Sequence, residues 1–420
     1  MRQAGVLLSV YLLTCSDLCT ADETQLEFDG HTKTRLVAQT FPDDSIFHDL
    51  TGSTAFDVEA DLRLNLDVGN GPWSFNAAYQ LFALYGDRVE YTRGIQQGSG
   101  LFINRLPEDD RRLLDLTSVI TDSNKFAALH RLDRLWLGYA NDKAVLRVGR
   151  QVISWGNGLF FSPMDIVNPF DPTMIDTEYK AGDDMLYAQF LRDNGDDVQA
   201  AAVFRRNPMN GNVESDEGTV SIKYHGVSRH AEYDLLAATN HGDATLGIGG
   251  NRNIGGAVVR GDVVVADARS TTVQLVTNLS YSWIWGGRNV SGALEYYFNG
   301  FGQKDGRYDS QSLAANPDLL ERLLRGELFT IGRHYLAGSL MIEMTPLWLL
   351  TPNIFLNVED GSALIQLVTQ NDLKENLAFL GSLNVPIGPR GSEYGGIEAP
   401  TADRYISTDL SIFAQIAWYF

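Results

Sequence analysis

The sequence FDVEADLRLNLDV, residues 56–68, alternates without a break between apolar and polar side chains. Every even-numbered residue from Phe56 to Val68 is apolar, and every odd-numbered residue is polar or charged. Consecutive side chains of a β-strand point to opposite faces, so this period of two predicts a strand with one apolar and one charged face. Residues 410–420, LSIFAQIAWYF, repeat the alternation and end on the aromatic Phe420.

Segments with strand character recur along the whole chain, and the connections between them alternate in length. Residues 68–71 (VGNG) and 285–288 (WGGR) are short and rich in turn residues, whereas residues 155–183 and 302–333 are long. Short turns on one side and long loops on the other are typical of bacterial outer-membrane barrels. The segments start near Leu26, Phe56, Trp73, Phe126, Ala144, Met185, Val198, Thr219, Ala231, Ala244, Ala257, Thr272, Val290, His334, Leu347, Ser362, Asn376 and Ser407.

We therefore predict an all-β chain that forms a transmembrane antiparallel β-barrel of about 18 strands, with about 16 as the fallback. Its short turns would be periplasmic and its long loops extracellular, and an even strand count puts both termini in the periplasm. Aromatic residues where strands meet turns, such as Trp73, Trp283 and Trp418, fit an interfacial girdle. The alternative is a large soluble sandwich or β-helix, which would bury its apolar faces and need fewer flanking aromatic residues.

The N-terminus has the pattern of a secretory signal peptide. Met1-Arg2-Gln3 precedes an apolar run at residues 4–14, and Cys19-Thr20-Ala21 supplies small residues before an acidic pair. We predict a signal peptide at residues 1–21 and a single outer-membrane barrel domain at residues 22–420. A buried N-terminal helix is the alternative, and a lipoprotein signal at Cys15 is a weaker one. No later segment is apolar over the length that a membrane helix needs.

Composition and motifs exclude several classes of function. The chain has 33 basic and 53 acidic residues, for a net charge of −20, which argues against nucleic-acid binding. It contains neither an H-E-x-x-H metal motif nor a G-x-S-x-G nucleophile elbow. Paired acids such as Asp109-Asp110 are more often solvated than catalytic. We therefore expect no catalytic residue, metal site or cofactor; an enzyme on the outer surface is the least favoured alternative.

If the apolar strand faces contact lipid, the opposite faces line the barrel interior. A barrel of this size class encloses an aqueous channel, and wall charges of both signs would set up a transverse field across it. The alternative is that these acids and bases simply pair with one another as a solvated wall. The predicted lumen-wall residues are Asp29, Lys33, Arg35, Asp57, Glu59, Asp61, Arg63, Arg147, Gln151, Arg260, Asp262 and Glu295.

The loop at residues 155–183 differs from an ordinary external loop. It contains Pro163, Pro169 and Pro172 and many aromatic residues, so we expect it to be stiff and to bury surface. We predict that it folds into the barrel and narrows it; a loop that only caps the mouth is the alternative. The candidate residues of the constriction are Asp165, Asp171, Asp176, Glu178 and Lys180.

The start of this loop carries a family resemblance. Residues 147–156, RVGRQVISWG, followed by residues 168–172, NPFDP, resemble a signature of proteobacterial outer-membrane porin-like barrels, including families distantly similar to alginate-export channels. The resemblance implies passive or facilitated passage of solutes. One residue conflicts with the pattern: Arg150 has the parity of the lipid-facing Val148, so a bulge or a position above the membrane is needed there.

These observations predict an outer-membrane porin or substrate-selective diffusion channel for small polar or charged solutes, with a cation preference because acids exceed bases. The alternative is a partner-gated export outlet or an assembly component of an envelope transporter. We expect contacts with lipid and lipopolysaccharide, and with the barrel-assembly machinery through the C-terminal strand that ends at Phe420. Whether the chain forms a homo-oligomer and whether it imports or exports are left open.

Overall fold

The computed structural model describes residues 24–96 and 106–420; the predicted signal peptide lies outside these ranges. The helices are α1 (Ile46–Thr51), α2 (Asp87–Gln96), α3 (Ser310–Ala314) and α4 (Pro317–Arg325). The strands are β1 (Gln25–Thr40), β2 (Thr54–Asn70), β3 (Trp73–Gly86), β4 (Thr117–Ser123), β5 (Phe126–Ala140), β6 (Ala144–Gln151), β7 (Asp183–Leu191), β8 (Asp197–Val203), β9 (Thr219–Val227), β10 (Ala231–Asn240), β11 (Asp243–Ile254), β12 (Ala257–Asp267), β13 (Thr271–Trp285), β14 (Arg288–Asn299), β15 (His334–Thr345), β16 (Trp348–Asn357), β17 (Ala363–Lys374), β18 (Leu377–Ile387), β19 (Ile397–Glu398), β20 (Tyr405–Ile406) and β21 (Ser411–Tyr419).

Eighteen of these strands close into an antiparallel barrel. Strand β1 pairs with β2 on one side and with β21 on the other, where His31 lies opposite Tyr419. Strand β4 is additional and forms a hairpin with the extracellular half of β5, while β19 and β20 form a small hairpin in the last long loop. The predicted fold class and strand count are therefore confirmed.

The two ends of the barrel differ as the turn pattern predicts. At one end the strands are joined by tight turns, for example at residues 71–72, 255–256 and 286–287. The other end carries the long connections, including residues 152–182 and 300–333. These two ends are the periplasmic and extracellular ends of the barrel, respectively.

The outer surface of the wall is apolar. Phe28 and Phe56 face outward and are 62% and 63% exposed, whereas the inward-facing Lys33 and Asp61 are buried. An apolar surface that encircles a closed barrel is stable in lipid and would be costly in water. This surface, together with the closed eighteen-stranded architecture, confirms the predicted location as an outer-membrane β-barrel. Among the residues that the structure describes, no helix is both long and apolar enough to cross a membrane.

Residues 106–116 form a strap that closes the wall above the point where β6 ends. The strap pairs with the continuation of β8, because Arg112 bridges Arg205 in antiparallel fashion and the N–H of Arg206 donates to the carbonyl of Arg111. Leu114 also donates its N–H to Asp184 of β7. The connection between β6 and β7, residues 152–182, can therefore leave the wall beneath the strap without opening a gap in the barrel.

The strap also explains the unusual position of Arg150. This side chain is only 1% exposed although it shares the parity of the exposed Val148. Its guanidinium donates to Asp109 of the strap and to Asp184, each at 2.9 Å, so the charge is paired beneath the strap. A bulge is also present, but it lies on the neighbouring β5, where pairing with β3 shifts near Ala78.

Candidate functional site in the barrel lumen

The connection between β6 and β7, residues 152–182, crosses the interior of the barrel, and we call it the lumen loop. Its first half, residues 152–168, is held by two acids on the far wall. Glu295 of β14 accepts backbone hydrogen bonds from Leu159, Phe160 and Phe161 at 2.6, 3.0 and 2.7 Å. Asp262 of β12 accepts two more, both of 2.7 Å, from the backbone N–H and side-chain amide of Asn157.

Apolar packing fixes the same half of the loop. Trp155 and Met164 are buried against inward-facing residues of β7, β8, β10 and β12, among them Tyr187 and Leu236. Phe161 stacks on Tyr297 of β14 with ring centroids 4.7 Å apart. Full burial of such side chains stabilises each by roughly 1.5–3 kcal/mol. The first half of the lumen loop is therefore a packed core that occupies the β7–β16 side of the barrel.

The second half of the loop, residues 169–182, reaches the opposite wall through ion pairs. Asp176 lies 2.7 Å from Lys33 and 3.1 Å from Arg35, both on β1. Glu178 lies 2.6 Å from Lys33 and accepts a 2.9 Å hydrogen bond from the hydroxyl of Tyr419. Charge attraction, rather than apolar burial, thus holds this part of the loop to the β1 side.

Three of the predicted constriction residues, Asp165, Asp171 and Lys180, make hydrogen bonds within the loop itself. Asp171 accepts hydrogen bonds from the N–H and hydroxyl of Thr173 and so closes a local turn. Lys180 pairs with Asp165 at 2.6 Å and donates to the carbonyl of Ile153 at 2.7 Å, which ties the two halves together. Burial raises the pKa of Asp165 to about 6 even though Lys180 favours its ionised form.

A cavity of about 620 Å³ lies between the second half of the loop and the wall formed by β1, β2, β3 and β5. Its lining combines charged and apolar side chains and includes Tyr179, whose ring carries the guanidinium of Arg63 at 4.1 Å. On the periplasmic side of the loop, Glu27 and Asp29 are exposed on the interior face of β1. The cavity thus lies on one side of the barrel interior.

The predicted wall residues fall into three groups. Lys33, Arg35, Glu59, Asp61 and Arg63 line the cavity, whereas Asp262 and Glu295 hold the lumen loop. The remaining five lie elsewhere and are engaged locally: Asp57 accepts from the backbone of Arg88, Asp29 from Asn65, Arg147 stacks on Tyr187, Arg260 donates to Ser280, and Gln151 donates to the carbonyl of Met185.

Sequence reasoning missed Arg88, Arg131 and Asp133, which line the same cavity, and Tyr419, which contacts Glu178. Arg131 and Asp133 lie two apart on β5, and that spacing alone could have placed both on the inner face. Tyr419 shares the inward parity of Gln415 on β21. Arg88 lies on α2, and no strand periodicity could have indicated that it contacts Glu59. Within the described ranges, no group of three or more His, Cys, Asp and Glu side chains is arranged to hold a metal ion.

Comparison with known proteins supports the fold. No family model matches the sequence, and no curated protein does. Among solved structures, OccAB4 of Acinetobacter baumannii is 8% identical, with 94% of this chain and 98% of that chain covered and a TM-score of 0.50. A variant of OccD1 (OprD) is 8% identical, with coverage of 94% and 95% and a TM-score of 0.53. At these identities the likeness shows the fold alone: the chain is built like outer-membrane porins.

Proposed function

We propose that the protein is a substrate-selective diffusion channel of the outer membrane that passes small polar or charged solutes. The observation that carries this proposal is the division of the lumen. One side is filled by the packed first half of the lumen loop, and the other retains a charged cavity of about 620 Å³. A closed barrel with a polar, partly filled interior is suited to passage with selection by size and charge.

In this proposal the constriction lies where the second half of the loop meets β1. Asp176 and Glu178 form its loop side, and Lys33 and Arg35 form its wall side. Asp165, Asp171 and Lys180 hold the loop in shape, and Lys180 also lines the cavity. A solute would therefore meet charges of both signs at the narrowest point.

We further propose that small inorganic ions pass with a cation preference. The chain has a net charge of −20, and the exposed inner face of β1 below the loop carries Glu27 and Asp29. Acids that line a vestibule raise the local concentration of cations and so favour their entry.

Several finer expectations complete the proposal. The resemblance of residues 147–156 to porin-like barrels, including relatives of alginate-export channels, supports a transport role. The apolar wall would contact lipid and lipopolysaccharide, and β21 with Phe420 would be the segment that the assembly machinery engages. A partner-gated outlet is less favoured, because the lumen retains a cavity of about 620 Å³ beside the loop and is not packed throughout.

Planar-bilayer recording of the purified protein under a salt gradient tests the proposal. We expect steady open steps and a cation-selective reversal potential. The double variant D176N/E178Q should shift that potential toward anions, whereas D193N, in an exposed periplasmic turn, should not. Silence from protein whose folding is verified by heat-modifiable migration would contradict a diffusion channel and favour the partner-gated outlet.

A further inference from the structure

A continuous series of alternating charges runs through the constriction. It consists of Arg88, Glu59, Arg35, Asp176, Lys33 and Glu178, and we call it the ion-pair chain. We infer that it selects small zwitterions, solutes that carry an ammonium group and a carboxylate a few ångströms apart. This inference rests on the proposed function, since it names the solute class of the same passage.

Each member of the ion-pair chain contacts the next. Arg88 pairs directly with Glu59, whose other oxygen lies 3.4 Å from Arg35. Arg35 lies 3.1 Å from Asp176, which lies 2.7 Å from Lys33, and Lys33 lies 2.6 Å from Glu178. The series begins at α2, just beyond the extracellular end of β3, and ends beside Tyr419 near the end of the last strand.

The ion-pair chain is balanced, with cations and anions in strict alternation. Its side chains are mostly shielded from water, with exposed fractions that range from 2% for Lys33 to 34% for Glu178. A solute that carries one charge can bind here only by separating an existing pair. That step leaves one buried partner without its counter-charge, which is strongly unfavourable. Simple cations and simple anions of solute size are therefore both disfavoured at this point.

A zwitterion can enter without leaving any charge uncompensated. Its ammonium replaces Lys33 or Arg35 on a carboxylate such as Asp176, and its own carboxylate takes up the released cation. A guanidinium such as that of Arg35 suits this step because it binds carboxylates in a bidentate fashion. From Glu59 to Glu178 successive members lie 2.6–3.4 Å apart, so the same exchange can repeat along the series as the solute advances.

Four separate elements contribute the members, which argues against a purely local role. Arg88 is on a helix, Glu59 and Arg35 are on adjacent barrel strands, and Asp176 is on the lumen loop. Pairs that only anchored the loop would not need to continue to Glu59 and Arg88. The cavity meanwhile borders most of the series, so that a solute inside it can contact these groups.

Uptake into proteoliposomes tests the inference with four solutes of similar size. They are L-threonine (zwitterion), its methyl ester (cation), N-formyl-L-threonine (anion) and erythritol (uncharged). We expect threonine to enter at least three-fold faster than each of the others. Equal rates for threonine and erythritol, or a faster ester or formyl derivative, would overturn the inference while leaving a diffusion channel intact. No uptake of any solute would instead contradict the proposed function.

Substitution shows whether the ion-pair chain causes the preference. The double variant R35Q/D176N removes one cation and one anion and so keeps the net charge of the series. We expect it to lower the ratio of threonine uptake to erythritol uptake to about one. R288Q, at the periplasmic end of β14, is the matched control and should keep the preference. Retention of the full preference in R35Q/D176N would overturn the assignment; the wild-type comparison decides the inference even if this variant misfolds.

Discussion

The carboxylate of Glu295 accepts a 2.7 Å hydrogen bond from the backbone N–H of Phe161, which places the lumen loop against β14. The same carboxylate accepts the N–H groups of Leu159 and Phe160, and it is completely buried. A buried acid with this set of donors replaces its hydration with backbone dipoles. Glu295 is therefore the main polar anchor of the loop that divides the lumen.

Replacing Glu295 by Ala should release the loop from this wall. Hydrogen bonds to charged groups contribute about 1.5–3 kcal/mol each, so the loss of the three from the loop backbone should destabilise the closed loop by roughly 5–9 kcal/mol. We expect noisier single-channel currents with a larger mean conductance. E295Q keeps one oxygen acceptor and should give an intermediate result. E232A, an exposed lumen acid on β10, is the control; unchanged currents in E295A would contradict the anchoring role.

The contribution of apolar packing in the lumen loop to the stability of the barrel should also be measurable. Met164 has no exposed surface and lies in the cluster that includes Trp155 and Leu236. Truncation of a buried Met to Ala costs about 2–5 kcal/mol, because a cavity remains. M164A should therefore lower the free energy of unfolding by that amount in a denaturant titration followed by tryptophan fluorescence. M209A, a 91% exposed Met of an extracellular loop, should change it by less than about 0.5 kcal/mol.

Arg150 should be essential for holding the strap in place. It compensates the buried acids Asp109 and Asp184, and removal of one partner from a buried charge group typically costs about 3–5 kcal/mol. R150A should therefore raise backbone hydrogen exchange in residues 106–116. R192A, in a periplasmic turn, provides the comparison. Unaltered exchange in R150A would show that the strap is held by its backbone bridges alone.

The strap should also loosen in acid. Burial alone would raise the pKa of Asp109, but hydrogen bonds from Arg112 and Arg150 outweigh it and lower the pKa to about 2. The ordinary value in an unfolded chain is 3.8, so the ionised group stabilises the folded strap above about pH 4. That stabilisation is lost progressively as the pH falls from about 4 to about 2. Hydrogen exchange of residues 106–116 should rise over this range, and D109N should remove the transition.

The fold could be predicted from the sequence because the barrel wall has a lipid face and an interior face. Each strand therefore alternates between apolar and polar residues with a period of two. The alternation at residues 56–68 reflects lipid on one side and water or loop on the other, and the same holds for residues 410–420. Turn residues between the segments then indicated which ends were periplasmic. The alternation and the turn residues are local features of the sequence, so they can be recognised without knowing which strands pair.

The site was less readable because its contacts are distant in sequence. Asp176 and Glu178, predicted as constriction residues, contact Lys33 of β1, but nothing in the sequence pairs Asp165 with Lys180 rather than with a solute. Arg150 has the parity of the lipid-facing residues but is buried, because its partner Asp109 comes from the strap. Glu295 was predicted as a residue of the lumen wall, and nothing in the sequence indicated that it accepts backbone N–H groups of the loop. Such roles depend on how the lumen loop and the strap pack against the barrel wall, and the apolar/polar alternation of the strands carries no information about that.

The central claim is that ions pass through the charged side of the lumen and not through the packed side, and cysteine modification tests it most directly. Single cysteines are placed at Gln80, in the lining of the charged cavity, and at Leu236, in the packed cluster, in a chain whose Cys15 and Cys19 are replaced by Ser. A bulky cationic methanethiosulfonate reagent is then added during single-channel recording. If the charged side conducts, modification of Q80C should lower the single-channel conductance by half or more, and the reagent should leave the conductance of L236C unchanged. An unaffected current in labelled Q80C, or block through L236C, would contradict the claim.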